Sequence, residues 1–310
     1  MGTDLRTVVG LGEVLWDVLP QGKQLGGAPT NFAYMSSLLG RDAVVASAIG
    51  NDALGEELLA RLNELKLDTA FIQVSQEHST GTVNVMLDRD GQPNYQIQKD
   101  VAWDCLAWTP EWQQIAARAD VICFGTLAQR SIVSRQTIQA FLRASRPDAV
   151  RIFDVNLRQS FFSASVLAES LRLANVAKLN ETELPVVMQL LGLAAKNAND
   201  ADDANNAHNK SASAECLRRA FGLDLVCVTR GARGSLLVRE GESDEHPGLN
   251  VHVVDSVGAG DAFTAALAHH ILRGSSLPVM NQAANRMGAW VASQSGGTPR
   301  ADADVLAEIV

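Results

Sequence analysis

An α/β protein with a mostly parallel sheet covered by helices on both faces is what this sequence predicts, and three observations carry that expectation. From Asp120 to Leu191 apolar runs alternate with amphipathic segments, giving strands at 120–125, 150–155 and 175–179 and helices at 134–145, 163–173 and 181–191. Val- and Ile-rich strands separated by helices belong to sheets buried on both faces. Polar groups gather where those strands finish, at Asp154-Val155-Asn156-Leu157-Arg158 and Asn180-Glu181-Thr182-Glu183, and open α/β sheets collect their ligands at such strand ends. Thr80 to Lys99 differs: Val83, Val85 and Leu87 alternate with polar residues, Asp90-Gly91 makes the turn, and Tyr95 and Ile97 alternate on the return. A ribbon with one apolar face is unstable alone in water, so it is expected to cover a ligand cleft, or to meet a second copy of the chain.

Taken in order, Thr7 to Gly12 is a short apolar strand ending in Gly10-Leu11-Gly12. The third glycine of a dinucleotide fingerprint is missing and Glu13 to Asp17 looks extended, which weighs against a nicotinamide oxidoreductase. Gly26-Gly27-Ala28-Pro29-Thr30-Asn31 then starts a helix with Pro29 in its first turn, Phe32, Met35, Leu38 and Leu39 on one face, and Gly40 as its stop. This is either a simple loop-to-helix junction or a site where Gly27 lets a polyol approach the main chain and Asn31 offers an amide to its hydroxyls. Ala43 to Ile49 is a strand, and Asp52 caps a helix whose Leu54, Leu58, Leu59, Leu62 and Leu65 are core packing. Ala194 to Ala214, dominated by Ala, Asn and Asp, reads as a mobile surface insertion. Strands follow at 224–229 and 235–239, and a final helix runs from about Pro278 to Ser293.

The chemistry concentrates near the carboxyl end. Leu249, Val251, Val253 and Val254 read as a strand, Asp255-Ser256-Val257-Gly258-Ala259-Gly260-Asp261 as a glycine-rich turn, and Ala262 to Arg273 as a helix. The first amides of a helix have no partner inside it, and with the dipole they form an anion site. Asp261 stands in that site. In phosphoryl transfer an aspartate accepts the proton of the attacking hydroxyl while amides hold the phosphoryl oxygens. Read alone, Asp261 serves equally as a helix cap.

The bulk numbers narrow the field. With 310 residues and 46% hydrophobic content the chain can bury a large core, and a formal charge of −9 disfavours nonspecific nucleic-acid or membrane binding. Cys105, Cys123, Cys216 and Cys227 form no C-x-x-C pair and the six histidines show no metal-ligand spacing. Asp4 and Arg6 precede the first strand with no signal-peptide pattern, so reduced thiols and a cytoplasmic location are expected.

Together these pieces resemble the ribokinase-like (pfkB) family of sugar kinases, from Val8 to about Pro299, with 194–214 outside the match. Asp255 to Asp261 resembles the family's Asp-Thr-x-Gly-Ala-Gly-Asp motif with Ser256 in place of threonine, and Gly26-Gly27 with Asn31 resembles its amino-terminal motif. The resemblance implies one three-layer α/β/α kinase domain with a small β lid from about 13–27 and 79–104, through which two copies would pair. It implies Asp261 as the base, and the amides of Gly258, Ala259, Gly260 and Asp261 as the anion hole. Asp17, Gly26, Gly27, Asn31, Asp104 and Arg158 would hold the sugar. Asn180, Thr229, Gly231 and Asn285 would contact ATP, Glu183 would hold Mg²⁺ through water, and carbonyls at Asp255 and Val257 would hold K⁺. Val101 to Asp104 and Asp154 to Arg158 resemble the fructokinase branch, pointing to fructose. Branches acting on 2-keto-3-deoxygluconate, ribose or nucleosides share the scaffold, and a noncatalytic sugar sensor on this fold would have lost Asp261.

Overall fold

The computed structural model describes residues 6–19, 22–87, 93–193, 207–301 and 303–309. Its centre is a nine-stranded sheet built from β1 (Thr7–Leu11), β4 (Asp42–Gly50), β5 (Ile72–Ser75), β8 (Val121–Gly125), β9 (Val150–Asp154), β10 (Val176–Asn180), β11 (Leu225–Thr229), β12 (Ser235–Arg239) and β13 (Glu242–His246). The order across it is β13-β12-β11-β10-β9-β8-β1-β4-β5. All neighbours are parallel except β11–β12 and β12–β13. Alternation along each strand feeds two cores. Val9, Leu11, Ile122, Phe124 and Phe153 face one side, and Val8, Val121, Cys123 and Ile152 face the other.

The first side is covered by α3 (Pro110–Arg118), α4 (Ile132–Ala144), α5 (Ala164–Leu173), α6 (Glu183–Leu190) and α7 (Ala207–Phe221), which bury Trp112, Ile138, Leu167, Leu184 and Leu217. The second is covered by α1 (Ala28–Leu38), α2 (Ala53–Glu64), α8 (Ala259–Leu272) and α9 (Leu277–Ala292), with the short α10 (Ala303–Ala307) beside them. Sheet and helices thus form the three layers expected. Among the described residues no helix is long and apolar enough to cross a membrane.

A second sheet stands apart, in the order β3-β2-β6-β7, from β2 (Leu15–Leu19), β3 (Gly22–Gly26), β6 (Gly81–Leu87) and β7 (Pro93–Ile97). The expected ribbon is therefore half of a four-stranded lid; its Asp90-Gly91 turn lies outside the described residues. Below it, Trp103 is fully buried and its ring nitrogen would stand 2.2 Å from any Cβ placed on Gly81.

Two expectations need correction. The strand proposed at 249–254 is not one: the segment runs along the end of α9, with the Val254 and Asp255 amides donating to the Ala292 carbonyl. Its Val253 and Val254 are 55% and 57% exposed, so their β-branched pattern reflected no sheet burial. The sheet edge is β13 instead, a polar strand folded back on β12 across Gly241. Within the proposed insertion, residues 207–214 belong to α7, where Ala214 is fully buried; residues 194–206 lie outside the described part.

Candidate active site

Strand order reverses between β1 and β8, and the groups singled out above converge near the carboxyl ends of these strands and of β9 and β10. Two glycine-rich turns approach from opposite ends of the chain. The first joins β3 to α1. Gly27 has φ +105° and a Cβ there would lie 2.5 Å from the Glu13 carbonyl oxygen, so only glycine lets the chain cross. A Cβ on Gly26 would stand 2.2 Å from Asp17 Oδ2, so Gly26 makes room for that carboxylate.

The second turn starts α8. Gly258 caps the helix in the left-handed region at φ +77°, pressed against Gly297, whose Cα would be 2.5 Å from a Cβ at 258. Asp255 ties the preceding loop down, accepting from the Val257 amide at 3.0 Å and the Gly296 amide at 3.1 Å. The Ala259 amide is used in a turn to the Ser256 carbonyl at 3.3 Å. The amides of Gly260 and Asp261 precede the first rung of the helix ladder, from Ala262 to the Gly258 carbonyl at 2.8 Å, and are the ones placed to receive an anion.

Asn31 Nδ2 donates to Asp261 Oδ2 at 2.8 Å, joining the two turns across 230 residues of sequence. Burial pushes the Asp261 carboxyl up to about 6, with the charge of Asp154 adding to it and Lys178, Asn31 and Arg158 opposing. Asp17 is raised to about 6 as well, first by burial; Arg158 works against this, and Asp255 and Asp261 reinforce it. Asp17, Arg158, Asp255 and Asp261 therefore share one electrostatic neighbourhood.

Beneath the α8 turn lies a feature the sequence reading did not assign. Lys178 and Asp154, both buried, pair at 3.0 and 3.1 Å. A Cβ on Gly260 would come within 3.0 Å of Lys178 Nζ. Thr264 Oγ1 donates to the Gly260 carbonyl at 2.8 Å and stands 3.3 Å from Asp154 Oδ2. Burial works against the charge on Lys178, but Asp154, Asp261 and Glu183 outweigh it and hold the ammonium charged. A lysine inside the apolar run Val176-Ala177-Lys178-Leu179 was the available signal, since such a residue needs a buried partner.

On the other flank, Asn180, Glu183, Thr229 and Gly231 meet where β10 and β11 end. Asn180 Oδ1 accepts from the amides of Thr182 and Glu183, and Glu183 Oε2 from the Asn180 amide at 2.8 Å. This is the reciprocal cap the spacing suggests. Glu183 Oε1 also accepts from the Leu157 amide at 2.8 Å, so the carboxylate is fixed by main chain on both oxygens. Such a group has lone pairs left for water but little freedom to move onto a metal, which fits Mg²⁺ held through water. Thr229 accepts the Glu181 amide through its carbonyl, and Gly231 sits at φ +58° in the following turn.

Asp104 and Asn285 have partners within the fold. Asp104 accepts from Arg130 through both oxygens, at 2.8 and 2.7 Å, and from the Val101 amide at 3.2 Å. Arg130 in turn lies 4.0 Å from the centre of the Trp103 ring and 4.8 Å from that of Phe161. Asp104 therefore anchors the base of the lid rather than offering a carboxylate to sugar, because a buried acid is drawn to a buried guanidinium. Asn285 spends its amide nitrogen on Ser235 Oγ at 2.7 Å and on Asn281, inside the contact of α9 with β12.

Comparison with known proteins supplies the family to which this three-layer fold belongs. The family of pfkB carbohydrate kinases matches residues 11–303, so the chain belongs to that family and is a sugar kinase, a phosphotransferase. It is 29% identical over 290 residues to a sugar kinase of Pyrococcus horikoshii, covering 90% of this chain and 85% of that protein. The crystal structure of that uncharacterised kinase superposes with a TM-score of 0.81 over 97% of each chain. A Salmonella typhimurium fructokinase is 29% identical over 269 residues, covering 83% of this chain and 81% of the relative. A Vibrio cholerae fructokinase structure with fructose, ADP and potassium ion bound has a TM-score of 0.77 at 22% identity, over 98% of each chain.

Proposed function

We propose that this sugar kinase transfers the γ-phosphoryl of ATP to a primary hydroxyl of a hexose, and that the hexose is fructose, phosphorylated on its 6-hydroxyl. The observation that carries the reading is the 2.8 Å hydrogen bond from Asn31 to Asp261, which joins the polyol-side turn to the base and its anion-binding amides. The fructokinase relatives support fructose over other sugars.

Asp17 and Asn31 orient the sugar hydroxyls, with Gly26 and Gly27 giving them room, and Arg158 offers the exposed guanidinium of the cleft to sugar or phosphoryl oxygens. Asp261 takes the proton of the attacking hydroxyl as the phosphoryl moves in line. Amides at the start of α8 receive the charge developing on the phosphoryl oxygens. A carboxyl near 6 suits this task, being ionised at neutral pH yet basic enough to accept a proton. Asn180, Thr229 and Gly231 flank the nucleotide. Glu183 would hold Mg²⁺ through water, and the carbonyls of Asp255 and Val257, on a loop fixed from two sides, would hold K⁺; these cations supply positive charge to the phosphate groups. The lid sheet closes over the sugar and excludes water that would compete for the phosphoryl. Its edge strands β3 and β7 offer a contact for a second copy, which sedimentation would reveal as a dimer.

The test is sugar-stimulated ADP release across a panel of fructose, ribose, 2-keto-3-deoxygluconate and nucleosides. Fructose is expected to give the highest kcat/KM, and no stimulation by any member would sink the reading. Asp261→Asn is expected to keep sugar binding and lose about a hundredfold to ten-thousandfold in kcat. Unchanged turnover in that variant removes the proposed base.

A further inference from the structure

Glu13 is a buried acid that the mechanism above leaves unused. It follows β1 at the point where strand order reverses, and it is 2% exposed. Two other buried acids of the cleft have a cation of their own, Asp154 with Lys178 and Asp104 with Arg130, whereas Glu13 has none within ion-pair reach among the described residues. Its carboxyl faces its own amide and that of Ala28 at the start of α1, which a helix cap would explain. The cap leaves one atom unexplained: Oε2 is closed off from solvent without a hydrogen-bond partner. In the first turn of α1, the Oδ1 of Asn31, whose nitrogen holds Asp261, is also buried and unpartnered. Burying acceptor atoms without a hydrogen is costly. A carboxyl can carry that hydrogen itself, and an amide oxygen cannot.

We propose that Glu13 is a positioning residue for phosphoryl transfer, a proton-bearing acid that keeps Asp261 the sole carboxylate bonded to Asn31 and so the sole base. The proposal rests on the kinase reading. The hydroxyl proton still passes to Asp261, and Glu13 plays no part as donor or acceptor in that transfer. The charged and titratable groups facing it are Asp261 from α8, Arg158 from the segment after β9, and Cys123 from β8; the first turn of α1 contributes only Ala28, Pro29, Thr30 and Asn31. Burial raises Glu13 to about 7 and the charge of Asp261 adds to this, against its own amide, Arg158 and the Ala28 amide. As pH rises through that value the proton is lost. A second negative charge then appears beside Asp261 and the incoming phosphate, and turnover should fall.

Two measurements test this on the full chain. Carbon-13 NMR of glutamate-labelled protein, with Glu13 assigned through Glu13→Gln, is expected to show its carboxyl titrating near neutrality. A Glu13 already ionised at about pH 5, near the ordinary carboxylate range, overturns the proposal whether or not any sugar is phosphorylated. In turnover, wild-type kcat is expected to drop about tenfold between about pH 6 and about pH 8.5, from one added like charge nearby. Glu13→Gln, which fits the same space and cannot ionise, is expected to lose that drop while keeping the acid limb set by Asp261. A drop that persists in the Gln variant overturns the proposal, as does a lowered melting temperature with the pH profile unmoved, which would mark a cap alone. Should the Gln variant not fold, Glu13→Met provides the NMR assignment and that arm decides.

Discussion

Asp261 lies under two opposed influences: burial and Asp154 favour its neutral form, and Lys178, Asn31 and Arg158 favour the carboxylate. Because its folded value is about 6, above the unfolded one, ionising it costs folding free energy. That cost is fully present above about pH 6 and vanishes below about pH 4, where both states are protonated. Asp261→Asn should therefore melt higher than wild type at neutral pH, with the difference closing as pH falls to about 4; equal melting temperatures at pH 7 would contradict the raised value. Wild-type kcat/KM should decline as pH drops through about 6, since the protonated acid cannot act as base. The Lys178–Asp154 pair carries a separate expectation. Replacing Lys178 by Met leaves a buried carboxylate alone, and chemical denaturation should show a loss of about 3 kcal/mol. Adding Asp154→Asn to that variant should restore part of it. At the residue scale, Asn31 and Asp261 stood out because each comes with a glycine-rich turn, whereas Asp17 was singled out only through the family resemblance. Glu13 follows Gly12 but was passed over, and Lys178 was hidden because its partner Asp154 lies on another strand.

At the scale of elements, glycine turns set the geometry. Gly258→Ala meets both a left-handed φ and the Gly297 backbone, so α8 would start in a different place. Stability should fall by about 1–3 kcal/mol and kcat should fall more than KM rises, as expected when an anion site is displaced. Gly26→Ala pushes instead on Asp17, and its effect should appear as a raised KM for sugar with kcat held. Periodicity made most strands and helices of the central layers legible, since sheets covered on both faces leave long apolar runs. It failed where burial and sequence disagree. Val251, Val253 and Val254 look like a strand but lie exposed along the end of α9, while β3 and β13 pair as strands with little apolar content. Asp104 misled for a related reason, as its partner Arg130 lies 26 residues on and is visible only once the lid base is packed.

For the whole molecule, Arg130 is one of the buried groups that join the lid to the core. It bonds Asp104 and the Gln98 carbonyl and stacks on Trp103 and Phe161. Arg130→Leu should loosen the lid, raising the KM for sugar and increasing sugar-independent ATP hydrolysis as water gains access. Unchanged hydrolysis would argue that the lid closes without this clamp.

The bond between Asn31 and Asp261 also has a bearing on synthesis. A chain emerging from the ribosome completes the polyol-side turn early, but the acid and its amides arrive some two hundred residues later. Until α8 docks on α1, a nascent chain is able to shape half a site and has no means of spending nucleotide. Such a layout makes catalytic competence the last property acquired, so recovery of activity in a refolding experiment should trail the return of secondary structure.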